Sequence, residues 1–260
     1  MNPLCLAIAK VRWSLNHRGV FGTLKTAAGR LVPRKTEAAR VQAPHPFDTE
    51  HGVDTSGLLT AVDLASGHPN DLLVTGYGGT PPSRFRFVMD RWFAAPPENP
   101  ISSYTFLDIG AGKGRTLMLA CDYPFREIIG VERNLGLTDI AAANLEKWRA
   151  SGHLCPPTRA VCRDILEFEF PDTPCLFYLY NPFAEPILRR LIEHIERSFS
   201  ANPRPLDILY SHPVSPHLFE NHPSYVKLWS AQVPISPEEA EAEPFASSDE
   251  LCCLFRRVAR

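Results

Sequence analysis

Phe106-Leu107-Asp108-Ile109-Gly110-Ala111-Gly112-Lys113-Gly114 reads as a buried strand running into a glycine turn, with the apolar helical stretch Arg115 to Cys121 directly behind it. Glycines at alternate positions after a strand let the backbone approach a ligand closely where a helix begins. The spacing is G-x-G-x-G with an acid two residues ahead of it, which differs from the G-x-G-x-x-G that fits a dinucleotide pyrophosphate. Asp108 would repel a pyrophosphate; it suits a cationic amino group, met directly or through water.

Outward from the turn, strands and acids alternate. The segment Glu127 to Glu132 ends in Glu132, whose carboxylate matches both ribose hydroxyls of a nucleoside lying across the glycine turn. A third strand, Arg159 to Arg163, leads to Asp164-Ile165, an acid suited to an adenine amino group beside an apolar cover for its ring; alone, Asp164 would be a helix cap. A fourth, Cys175 to Tyr180, runs into Asn181-Pro182-Phe183, which puts a polar side chain and an aromatic at the carboxyl edge of the sheet. Asn-Pro is also a common turn signal. Leu206 to Ser211 forms the fifth strand, and Val226 to Val233 and Leu251 to Val258 the last two.

Helices fit between the first five strands. Leu137 to Ala150 and Pro186 to Phe199 are the clearest, and Phe85, Val88, Met89, Trp92 and Phe93 mark one face of an earlier helix with Ser83 as its N-cap. Alternating strand and helix implies a parallel sheet with right-handed crossovers, while the last two strands, with no strong helix between them, should pair antiparallel at one edge. The fold expected is α/β: a Rossmann-like, mostly parallel seven-stranded sheet with an antiparallel edge hairpin, plus an N-terminal helical arm.

The order Asp108 to Gly114, Glu132, Asp164-Ile165 and Asn181-Pro182-Phe183 resembles the Rossmann-like (class I) S-adenosylmethionine-dependent methyltransferases over roughly residues 75 to 258. The resemblance implies S-adenosyl-L-methionine as cofactor. It implies that Asp108, Gly110, Gly112 and Gly114 hold the methionine part, Glu132 with Arg133 the ribose, and Asp164 and Ile165 the adenine, with Asn181 at the methyl. Tyr77-Gly78-Gly79-Thr80 is similar to the cofactor-covering loop of the histone-lysine methyltransferases that lack the SET fold, which adds Thr80 to the cofactor contacts and places Tyr77 in a lid. His51 to Gly57 resembles a recurrent stretch of bacterial methyltransferases. Asn181-Pro182-Phe183 departs from the Asn-Pro-Pro-aromatic motif of adenine- and glutamine-modifying members by lacking the second proline.

On this reading the activity is methyl transfer without a metal. Asn181 orients the acceptor, Phe183 and Tyr77 wall the methyl site, and the favoured acceptor is a protein lysine or amine nitrogen. A small-molecule oxygen or nitrogen is the alternative, and a catalytically silent nucleoside-binding module that binds nucleic acid is a third. Strand alternation turns Tyr180 away from Asn181. His212, in Tyr210-Ser211-His212-Pro213, reaches the carboxyl edge either as a base or as an ordinary loop histidine.

The composition agrees with one sizeable core and an appendage: 260 residues, 44% hydrophobic. Residues 1–82 read as a basic helical arm and cofactor-covering loop, and 83–260 as the S-adenosylmethionine-binding domain. Two short helices are expected over residues 3 to 32, the second with Phe21, Leu24, Ala28 and Leu31 on one face. Up to residue 40 there are eight Lys or Arg against Glu37 alone, a charge that suits nucleic acid, anionic lipid or an acidic partner, or an arm docked on the acidic remainder. Seven cysteines without C-x-x-C spacing, five of them in apolar runs, suggest buried thiols in a reducing cytosol. No apolar run approaches the roughly 18 residues of a membrane span, and the expected location is cytoplasmic.

Overall fold

The structure, a computed structural model, describes residues 44–67, 70–71, 73–243 and 247–258. The helices expected over residues 3 to 32 and the basic stretch lie outside the described residues. Seven strands form one sheet: β1 (Thr105–Ile109), β2 (Glu127–Glu132), β3 (Thr158–Cys162), β4 (Cys175–Tyr180), β5 (Leu206–Ser211), β6 (Tyr225–Pro234) and β7 (Asp249–Arg257). Their order is β3-β2-β1-β4-β5-β7-β6. Pairing is parallel through β5, then antiparallel between β5 and β7 and between β7 and β6. This is the Rossmann-like sheet with the antiparallel edge that the sequence predicts.

Helices are α1 (Pro46–His51), α2 (Pro82–Ala94), α3 (Arg115–Ala120), α4 (Leu135–Ala150), α5 (Glu185–Ala201), α6 (His217–Glu220) and α7 (Pro237–Ala242). Strands β1 and β5 are buried along their whole length, as parallel strands covered on both faces must be. Their period of two divides the core. Phe106, Tyr178 and Leu209 meet Phe85 and Trp92 of α2, Leu117 of α3 and Trp148 of α4 on one face. Leu107, Ile109, Phe177 and Ile208 meet Leu188, Leu191, Ile195 and Phe199 of α5 on the other. Each such side chain contributes about 1.5–3 kcal/mol by leaving water.

A buried polar knot fixes α2 to the far strands. Trp92 Nε1 donates to Asp207 Oδ2 of β5 at 2.7 Å, and Arg256 of β7 grips both carboxylate oxygens of Asp207 at 2.7 and 2.9 Å. The fork shape of guanidinium suits this bidentate contact.

Three expectations need correction. Ser83 is not the N-cap of α2: Pro82 lies in the first turn, with its fixed φ, and Pro81 takes the cap position. The backbone N–H and hydroxyl of Ser83 go instead to the carboxylate of Glu239 in α7, which also closes a capping box with Ser236. Strand β3 runs one residue earlier than expected, ending at Cys162. The cysteines are not all buried thiols, because Cys121 at the end of α3 is disulfide-bonded to Cys155 before β3, and Cys162 is exposed. Among the described residues no helix is long and apolar enough to cross a membrane.

Candidate functional site

Strand order reverses between β1 and β4, and the carboxyl ends of these two neighbours bound the crevice where open α/β sheets place their ligands. The glycine turn leaves β1 there, and Asn181-Pro182 leaves β4. Gly110 and Gly112 have φ of 84° and 53°. A Cβ at Gly110 would stand 2.9 Å from Pro182 Cβ, and one at Gly112 would stand 2.3 Å from Tyr77 Cε2. Both positions therefore need glycine for conformation and for close approach.

Three acids lie at or just past the carboxyl ends of β1, β2 and β3. Asp108, only 3% exposed, accepts a hydrogen bond from the Thr116 hydroxyl. Burial pushes its carboxyl up to about 7; the Thr116 bond opposes this and the nearby charge of Glu132 adds to it. Glu132 accepts the N–H of Gly112 at 3.0 Å and that of Asn134 at 2.8 Å, so the end of β2 is tied to the glycine turn. Burial raises its pKa, and the backbone N–H bonds counteract the rise. Asp164 accepts the N–H of Leu166 at 2.9 Å and caps the short 3-10 turn Ile165–Glu167, with Ile165 buried against the β3–β4 side of the core.

At the end of β4, Asn181 has a left-handed φ of 42°. Its backbone carbonyl accepts the Thr75 hydroxyl at 2.7 Å, and Thr75 N–H reaches Pro182 O at 3.1 Å. Val74 bridges Phe183, and Ala184 N–H reaches Leu73 O at 2.7 Å. Residues 73–75 thus run antiparallel along 181–184. The side-chain Oδ1 of Asn181 is buried and has no hydrogen-bond partner among the described residues. Such an atom is costly to leave unmatched.

The stretch that packs on the glycine turn reaches beyond Tyr77 to Thr80. Tyr77 is buried with its ring on Gly112 and its hydroxyl donating to Thr55 O at 2.6 Å. Thr80 faces inward, its hydroxyl accepting from Tyr178 at 3.3 Å and its carbonyl from Arg115. Arg133 turns outward to an ion pair with Asp71 and donates to the Ser66 hydroxyl at 3.4 Å, which ties Ser66 and Asp71 to the end of β2.

Sequence reasoning missed the residues that hold this segment. Arg115, buried in the first turn of α3, donates to Thr55 Oγ1 at 2.7 Å, Thr55 O at 3.1 Å, Thr80 O at 3.3 Å and Glu243 Oε1 at 2.6 Å. Asp48 of α1 gathers the N–H and hydroxyl groups of Thr55 and Ser56. Lys113 Nζ reaches Asp54 Oδ1 at 2.7 Å and Ser56 O at 2.8 Å, and Asn144 of α4 holds both backbone groups of Asp54. The signal available was a charged residue heading an otherwise apolar helix, R-T-L-M-L-A, and an aspartate seven residues before a Thr-Ser pair.

Tyr180 points away from Asn181, as strand alternation requires, and donates to Glu250 Oε1 of β7 at 3.1 Å. Glu250 also pairs with the wholly buried Arg84 of α2 at 2.7 Å.

No family model matches the sequence, and no curated protein matches it. Solved structures with a similar backbone include one described as a candidate RNA methyltransferase of Pyrococcus horikoshii, at 15% identity and a TM-score of 0.47, covering 67% of this chain and 83% of that one. Magnesium protoporphyrin IX methyltransferase of Synechocystis, solved with S-adenosylmethionine, gives 12%, 0.46, 68% and 79% in the same order. The [4+2]-cyclase SpnF gives 14%, 0.47, 68% and 81%. At such identities the likeness does not extend to residue roles.

Proposed function

We propose that this chain is an S-adenosylmethionine-dependent methyltransferase acting on an amine nitrogen, with a protein lysine as the favoured acceptor. The observation that carries the reading is Asn181 Oδ1, a buried oxygen without a hydrogen-bond partner among the described residues, next to Pro182, which lies close to the glycine turn of β1.

The residues present fit the cofactor. Asp108 and the glycine backbone suit its methionine part, with a carboxylate for the cationic amino group. Glu132 suits the ribose hydroxyls once its bonds to Gly112 and Asn134 are exchanged, and Asp164 and Ile165 suit the adenine edge and face. When bound, the group supplies a methyl carbon already activated by its sulfonium. The chain's own part is alignment and exclusion of water. Asn181 Oδ1 accepts a hydrogen from the acceptor nitrogen, and Thr75 holds the Asn181 backbone so that this oxygen stays in place. Phe183 and Tyr77 present ring faces, which favour a cationic nitrogen. Residues 54–56 and 73–80 cover the crevice.

Calorimetric titration with S-adenosylmethionine tests the first half. Binding is expected, with strong loss in Glu132→Ala and in Gly110→Arg while the circular dichroism of both variants stays native. Absence of binding at millimolar cofactor sinks the reading. For the acceptor, tritiated cofactor is incubated with a lysate of the source cell. Label in protein is expected; label only in small metabolites supports the small-molecule alternative, and nuclease-sensitive label an RNA acceptor.

A further inference from the structure

Ser211, the last residue of β5, is the register partner of Tyr180, the last residue of β4. The next residues, Asn181 and His212, therefore leave the sheet side by side. They are also the non-glycine residues with positive φ among those described, at 42° and 50°. A left-handed backbone at a histidine costs free energy and persists where the surroundings impose it, commonly at functional sites.

The surroundings are specific. His212 N–H donates to Leu251 O at 2.9 Å, and its half-exposed imidazole sets Nδ1 3.5 Å from Glu250 Oε1. Glu250 is 5% exposed and held from three directions: by its own strand β7, by Tyr180 from β4 on Oε1, and by Arg84 from α2 on Oε2. Arg84 is fixed in turn by Val233 O at 3.3 Å and Ser247 O at 3.1 Å. Arg84 already balances the Glu250 charge, so the carboxylate does not need a histidine for its own sake. A carboxylate 3.5 Å from Nδ1 favours, by charge, the tautomer with its proton there and leaves the Nε2 lone pair free. The titratable and charged groups facing His212 are Glu250 and Cys252 of β7, Tyr180 of β4, with ring centroids 6.4 Å apart, and Arg84 of α2 behind Glu250.

Resting on the methyl-transfer reading, the geometry points to His212 as the group that takes the acceptor's proton, with Glu250 as its positioning residue. The acceptor arrives as an ammonium; one N–H proton passes to Nε2, and the pair left on the now neutral nitrogen forms the bond to the methyl carbon. The carbon–sulfur pair stays on sulfur as a neutral thioether, and the imidazolium returns its proton to water. The substrate class is thereby narrowed to acceptors that arrive protonated, such as a primary ammonium, met at the end of β5 beside the end of β4.

The test uses the full chain and His212→Gln with three readouts. Calorimetry with S-adenosylmethionine should give equal affinity for both proteins. Transfer of tritiated methyl to source-cell lysate, followed from pH 5.5 to 8.5, should fall about a hundredfold at pH 7.5 in the variant and change its pH profile. Nitrogen-15 spectra of the wild type, with the His212 signals assigned by their loss in the variant, should show the neutral ring protonated on Nδ1. Unchanged transfer with an unchanged pH profile, or a ring protonated on Nε2, overturns the proposal and leaves the methyl-transfer reading standing. A wild type that binds no cofactor, or binds it and transfers no label, overturns that reading and the proposal with it.

Discussion

The ring of Tyr77 occupies the place where a side chain on Gly112 would stand, 2.3 Å from the ideal Cβ position. The second glycine of the turn thus admits the chain's own Tyr77. Gly112→Ala is expected to push Tyr77 off the turn, weaken S-adenosylmethionine binding about tenfold, and speed amide exchange over residues 54–80. Calorimetry and hydrogen-exchange mass spectrometry read both effects; unchanged exchange would show that the contact does not hold the segment down.

Arg115→Met tests the other fastening. The substitution leaves buried acceptors at Thr55 and Thr80 unmatched, and each unsatisfied group costs about 1–3 kcal/mol. A loss of roughly 3 kcal/mol in urea unfolding is expected, with faster exchange in residues 54–80 and little change in β4 and β5.

Asp108 makes stability fall with rising pH. Its folded carboxyl titrates at about 7 against the ordinary 3.8, so between these values the native chain holds a proton that the unfolded chain has released. Unfolding free energy should decline from pH 4 to pH 7 by up to about 4 kcal/mol from this group. Asp108→Asn should flatten that slope. A cationic amino group beside Asp108 would lower its pKa, so cofactor binding below pH 7 should release a proton, seen as a buffer-dependent heat.

The Arg84–Glu250 pair should be costly to break on one side only. Arg84→Met leaves a buried carboxylate with Tyr180 and His212 alone, and a loss of about 3–5 kcal/mol is expected in chemical denaturation. Arg84→Met combined with Glu250→Gln should recover part of it.

Reduction of the Cys121–Cys155 bond opens a loop whose ends are 34 residues apart in sequence. Chain-entropy arguments put its contribution at about 4 kcal/mol. Thermal unfolding with and without a phosphine reductant, and of Cys121→Ser, should show matching losses.

Much of the sheet was legible because β1, β4 and β5 are mostly apolar runs and each ends in a polar residue or a glycine turn. Their bounds match the expected ones at Thr105–Ile109, Cys175–Tyr180 and Leu206–Ser211. The acids at the ends of β1 and β2 were legible for the same reason, since a charge at the end of a buried run must face a site or a partner. Arg115 and Asp48 were not. Their partners lie far along the chain, as with Arg115 and Glu243, and nothing local distinguishes a clamping arginine from a solvated one. Ser83 misled because a serine ahead of an apolar face has the signature of a cap whether or not a proline precedes it. The Cys121–Cys155 pairing depends on where α3 and the approach to β3 come together, which spacing alone does not reveal.

Strand β7 lies between β5 and β6 although it is made after both. On the ribosome, β5 therefore waits with an open edge until residues 249–257 have cleared the exit tunnel. Up to that moment Asp207 lacks Arg256, Arg84 lacks Glu250, and the residue beside Asn181 lacks the carboxylate that aims it. The nascent chain completes its sheet and its crevice in one event, so a ribosome stalled before that strand would hold the first six strands without a finished site.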